Sequence, residues 1–140
     1  MHKNLQPPGW PRPKGYANGI QATGSMVFTA GIVGWDENEQ FIATDLVGQL
    51  EQALRNTVAI LEQADARPEH IVRMTWYITD KQDYVDHLVE VGQVWRRILG
   101  KVFPCMACVQ VVALVEDAAK IEIEVTAMVP PNNPSAGVHP

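Results

Sequence analysis

The sequence predicts an α+β domain in which a single mixed β-sheet carries two helices on one face. Three observations predict it. Residues 103–129 alternate or run apolar over two consecutive stretches, as strands do. Residues 71–79 alternate cleanly, with Val72, Met74, Trp76 and Ile78 facing one way and Arg73, Thr75, Tyr77 and Thr79 the other. Two further segments step their apolar residues by three and four, which gives each helix one apolar stripe. Two one-striped helices bury themselves against one face of one sheet. At 140 residues the chain is expected to be a single domain, 1–140, with enough length for a core.

In chain order, residues 1–14 hold Pro7, Pro8, Pro11 and Pro13 around Trp10. Proline lacks the donor that a strand ladder needs, so an extended arm is expected there, with Trp10 as a surface anchor. Tyr16 to Thr23 and Met26 to Val33 read as two strands joined at Gly24. Gly31 and Gly34 close the second strand, where glycine marks a bulge or a close approach. A polar loop follows, then a short strand over 41–43. Asp45 caps a helix to about Ala64, with Val47, Leu50, Leu54, Val58 and Leu61 inward and Gln49, Glu51, Gln52, Arg55 and Glu62 on the wet side. Pro68 can open one more helical turn. After the strand at 71–79, Asp80 opens a second helix whose stripe is Val85, Leu88, Val91, Trp95 and Ile98, ended by Gly100. Residues 130–140 form a proline-rich tail.

The stretch from Phe103 to Val129 organises the chain. In its first strand Met106, Cys108, Gln110, Val112 and Leu114 share one face, and Ala107, Val109, Val111, Ala113 and Val115 the other. Both faces are largely apolar, which predicts a central strand covered on both sides. Glu116 to Ala118 make the turn. In the second strand Ile121, Ile123, Val125, Ala127 and Val129 oppose Lys120, Glu122, Glu124, Thr126 and Met128. On periodicity alone the two glutamates are a solvated sheet face; the alternative is that one of them serves a site.

Composition narrows the function. Eleven cationic against sixteen acidic residues, net charge -5, leave no electrostatic footprint for nucleic acid, and no nucleic-acid partner is expected. There is no run of about 18 apolar residues and no apolar stretch near the N-terminus, so no membrane partner is expected and a cytoplasmic location is the default. Cys105 and Cys108 form a Cys-x-x-Cys, yet residues three apart on a strand point to opposite faces, so neither a disulfide nor a zinc pair is expected. His2, His70, His87 and His139 have no ligand-spaced companions, and no glycine-rich phosphate loop opens a helix; no metal and no cofactor are expected.

An ordered set of segments carries a resemblance. Gly15-Tyr16, then Val27 through Gly34, then Arg73 through Asp80, then Pro104 with position 106 ahead of Ile121-Glu122-Ile123-Glu124, resembles the RidA (YjgF/YER057c/UK114) family over residues 14–129. The resemblance implies a chorismate-mutase-like, YjgF-type fold and a homotrimer with small-molecule sites in clefts between subunits. It implies hydrolysis of enamines and imines to carbonyl compounds and ammonia, with no cofactor. By residue-for-residue carry-over it makes Glu122 the catalytic carboxylate and Tyr16, Gly31 and Cys108 substrate-binding. The carboxylate-holding arginine of the pattern falls on Met106, and an asparagine of the second helix falls within His87 to Val89, with Leu88 the best match. A guanidinium forks onto a carboxylate; a thioether offers only an apolar wall. The chain therefore reads as a subgroup without the arginine.

Two readings stay open: a deaminase for a larger or less acidic substrate, with Met106 as a pocket wall, and a non-catalytic trimer that binds a small molecule as a pathway accessory. A nuclease, a label some relatives carry, is disfavoured by the acidic balance. Lys14, Arg73 and Lys120 are the cations available to replace the missing clamp.

Overall fold

A computed structural model describes residues 2–131. The element order is β1 (Lys3–Asn4), β2 (Ile20–Gln21), β3 (Ser25–Phe28), β4 (Ile32–Val33), α1 (Leu46–Glu62), a 3-10 turn (Pro68–His70), β5 (Ile71–Ile78), α2 (Lys81–Asp86), α3 (Leu88–Ile98), β6 (Cys105–Gln110) and β7 (Ile121–Val129). The main sheet is mixed and runs β3-β7-β5-β6, with β4 also paired to β7. Helices α1 and α3 pack together over one face, closing a core of Leu50, Leu54 and Leu61 against Met74, Trp76, Ile121, Ile123 and Val125. Each of these side chains contributes roughly 1.5–3 kcal/mol by leaving water. The α+β class and the placing of both helices on one face are as the stripes predicted.

The expected central strand is instead an edge. β6 is shorter than 103–115 suggested; among the described residues its one strand partner is β5, in parallel, and a single bridge from Ala17 to Cys105 touches its start. β5, α2–α3 and β6 form a strand–helix–strand crossover, and such a crossover makes the strands parallel neighbours. β5 therefore lies between β6 and β7, which do not pair with each other, and the centre of the sheet is β7. Beyond Gln110 one further bond, Val111 N–H to the Ile78 carbonyl (2.8 Å), holds the chain before it leaves the sheet.

Other differences have local causes. Lys3–Asn4 pairs antiparallel with Ile20–Gln21, because the prolines that bar a ladder begin only at Pro7. The strands expected over 16–23 and 26–33 shrink to short pieces, and 41–43 is not a strand. Gln49 is buried rather than wet: its Nε2 donates to the Ala43 and Ala118 carbonyls (3.2 and 2.9 Å) and its Oε1 accepts from Lys120 N–H (2.7 Å), tying two loops to α1. The second helix breaks at His87, whose ring Nδ1 sits 2.7 Å from the Asp83 carbonyl while its backbone N–H turns to Tyr84. The break leaves Val85 and Leu88 exposed; the expected Val91 is buried, joined by Val94, while Trp95 and Ile98 are half-buried. Asp45 caps α1 through Gly48 N–H, and Gly100 takes a φ of 81° after α3. The tail expected at 130–140 lies outside the described residues beyond Pro131.

Candidate functional site

Strand register assigns the faces. Met106 pairs with Met74 and Cys108 with Trp76, and both partners are buried under the helices. Glu122 pairs with Tyr77 and Glu124 with Thr75, one residue out of phase, so they stand on the opposite, helix-free face. The five site residues expected from sequence therefore fall into two groups.

The first group is a cavity of about 530 Å³ between β5–β6 and α3. Tyr16, Met106 and Cys108 all line it. Ala17 N–H donates to the Pro104 carbonyl (3.0 Å) and Ala17 bridges Cys105 in parallel, which fastens Tyr16 beside the start of β6. Aromatic side chains build the wall. The Trp76 ring lies 5.7 Å from Trp95 and meets Tyr84 edge-on at 6.4 Å. Trp95 donates Nε1 to the Val102 carbonyl (3.1 Å), linking α3 to the loop before β6. Burial pushes the Cys108 thiol up to about 11. It is a neutral thiol near pH 7 and forms part of the wall rather than a thiolate nucleophile. Burial, with Cys108 beside it, also raises Tyr84.

The second group is Gly31 with Glu122. The Glu122 carboxylate fills the space that a β-carbon on Gly31 would take. The glycine's role here is close approach, as its place at the end of a strand suggested. Nearby, Tyr77 donates its hydroxyl to Glu124 at 2.6 Å, a bond that raises the Tyr77 hydroxyl's pKa. Glu122 makes no hydrogen bond or ion pair among the described residues, so its oxygens are open to a ligand or a water.

Among the cations proposed to replace the arginine, Lys14 lines the cavity, Arg73 stands on the helix-free face with Cys105, and Lys120 lines a separate cavity beside Thr79. Arg96 and Lys101 also line the first cavity and were not anticipated. The signal was present in the spacing of Leu88, Gly92 and Arg96, four apart on one helix, but it points to a cavity only once β6 is known to lie beneath. Cys105 and Cys108 are free and point to opposite faces, as their spacing implied.

The sequence model of the Endoribonuclease L-PSP family matches residues 11–129. A 2-iminobutanoate/2-iminopropanoate deaminase of Salmonella typhimurium is 33% identical over 116 residues, covering 81% of this chain and 86% of the relative. The chain belongs to the RidA family. The RidA-family fold is equally plain in solved structures. The Rid-family protein YyfB of Yersinia pestis superposes with a TM-score of 0.80 at 25% identity, covering 91% of this chain and 98% of the other. Escherichia coli TdcF, solved with bound serine, superposes with a TM-score of 0.65 at 30% identity, over 91% of this chain and 98% of the other. Among the described residues no helix of this RidA-family chain is long and apolar enough to cross a membrane.

Proposed function

We propose that this chain is an enamine/imine deaminase whose site is completed between the subunits of a homotrimer, with a pocket more apolar than an arginine clamp would make it. The observation that carries the reading is the separation of Gly31–Glu122 from Tyr16–Met106–Cys108 on opposite faces of one sheet. A site that uses both groups takes two chains. The helix-free face supports such an assembly: Phe28 is 64% and Met26 56% exposed there, beside Thr126 and Met128. An apolar sheet face of this kind is what a partner covers. The reaction class follows the relative named a 2-iminobutanoate/2-iminopropanoate deaminase.

The chemistry asks little of the protein. An enamine takes a proton on its β-carbon as the nitrogen lone pair closes the C=N bond, giving an iminium. Water adds to the iminium carbon and gives up a proton. The hydroxyl proton of that adduct passes to nitrogen as the C–N bond breaks, so ammonia leaves and a carbonyl remains. One water is consumed and no electron is transferred. Glu122 in its acid form supplies the first proton, and as the carboxylate it takes one from the attacking water. Gly31 lets that carboxylate sit against backbone. Met106 and Cys108 form the apolar wall against which the substrate's body rests.

A second reading, a small-molecule-binding trimer without catalysis, is favoured by Met106 and Leu88, two uncharged side chains at the cavity where the family pattern is polar. The deciding experiment is ammonia release from imines made in situ by an amino-acid oxidase, from alanine-derived to aromatic, with and without the protein. Acceleration that the Glu122→Gln variant lacks is expected. No acceleration across the panel would leave the binding reading.

A further inference from the structure

The cavity beside β6 has a charge pattern at odds with the chain. The protein has sixteen acidic and eleven cationic residues, yet among the described residues no Asp or Glu lines this cavity and three of the eleven cations do. These are Lys14, Arg96 and Lys101, and none makes an ion pair among the described residues. They come from three separate segments, the arm, the last turn of α3 and the loop after it, and they converge on one opening. Converging cations without acidic partners are arranged for an anion from outside.

The interior is made for a bulky apolar body. Trp95 and Met106 contribute wall, and Gly92, exposed at the cavity's rim, puts no side chain over it: a β-carbon built there meets no atom within 4 Å. A glycine inside a helix costs about 1 kcal/mol relative to alanine. Nothing in the packing around Gly92 requires that cost, and its effect is to keep the exposed rim one turn below Arg96 clear of a side chain.

Resting on the deaminase site proposed above, we propose that this cavity selects an aromatic or similarly bulky substrate carrying one carboxylate. Its apolar body lies over Gly92 between Trp95 and Met106, and its carboxylate is held by Arg96 with Lys14 and Lys101 at the mouth. The anion is thus held on the helix side, away from Met106, which fits a larger substrate than a clamp on β6 would seat. A guanidinium at the end of a helix stripe can fork onto a carboxylate as an ammonium cannot.

The test is isothermal titration of the full chain with 3-phenylpropanoate, its neutral isostere 3-phenylpropanamide, propanoate and inorganic phosphate. Saturable binding of phenylpropanoate is expected, with the amide at least about tenfold weaker, the size of one charge-assisted contact, and propanoate at least about tenfold weaker because it has no ring to bury. Arg96→Gln should weaken the acid about tenfold and leave the amide unchanged. Gly92→Leu should remove binding of both without lowering the melting temperature. Equal binding of acid and amide, indifference to Arg96→Gln, absent binding of phenylpropanoate, or equal competition by phosphate would each overturn the proposal. The two failures separate. Binding as described without ammonia release from any imine defeats the deaminase reading and keeps the ligand class. Hydrolysis of aromatic imines unaffected by Arg96→Gln defeats the ligand class and keeps the deaminase.

Discussion

The Glu122 carboxylate lies where the side chain of residue 31 would begin, so Gly31 is what lets the carboxylate rest against the β3–β4 backbone. Gly31→Ala forces the carboxylate to swing away or the backbone to part. Imine hydrolysis should fall by about a hundredfold, in the range lost when a positioned acid/base is displaced, while the circular dichroism spectrum is kept. Glu122→Gln should reach the same floor with the assembly intact. Full activity in both variants would make Glu122 a structural residue.

The exposed Phe28 and Met26 beside β7 set the expectation for assembly. Native mass by light scattering should be three times the 15.5 kDa chain mass. Phe28→Glu places a charge on the face that a partner would cover, at a cost of several kcal/mol, and should yield monomers with no deaminase activity. A wild-type monomer would remove the case for a shared site.

Met106 lines the cavity, and the resemblance read from the sequence sets the family's arginine at this position. Met106→Arg should raise turnover of small 2-imino acids by about tenfold or more, one charge-assisted carboxylate contact. It should slow bulky imines, because the guanidinium takes up apolar wall. The panel of imines reads both effects together, and unchanged selectivity would count against Met106 as a specificity residue.

His70 is buried, and its Nδ1 accepts the Arg67 N–H at 3.0 Å, which needs the neutral ring. Burial holds its pKa below the usual histidine value; Arg67 and His2 push the same way and Glu69 opposes them. With the folded pKa depressed, the unfolded chain binds the proton first. The stabilisation is therefore complete above the ordinary value near 6.5 and is lost as pH falls toward the folded one. Melting temperature should drop as pH is lowered from 7 to 5, and His70→Asn, which keeps an acceptor without a titrating ring, should flatten that slope. An unchanged slope would clear His70 of the acid sensitivity.

Much of this architecture was legible because it rests on local periodicity. The stripe of Leu50, Leu54 and Leu61, the alternation of Met74, Trp76 and Ile78, and the buried face of Ile121, Ile123 and Val125 each follow from side-chain direction along a regular backbone. So does the opposition of Cys105 and Cys108. Asp45 and Gly100 mark helix ends by their own chemistry.

Sequence by itself thus determined the family, the α+β class, the one-sided helices and the residues to inspect. Tertiary structure alone decided three things. It decided that the apolar strand around Met106 and Cys108 is an edge, because neighbours in a sheet are chosen by crossover topology and not by hydrophobicity. It decided that Gln49 is buried, because a polar side chain goes inward when carbonyls from distant loops meet it there. And it decided that Glu122 and Met106 face apart while Lys14, Arg96 and Lys101 converge, because only the packed fold brings segments more than eighty residues apart to one opening.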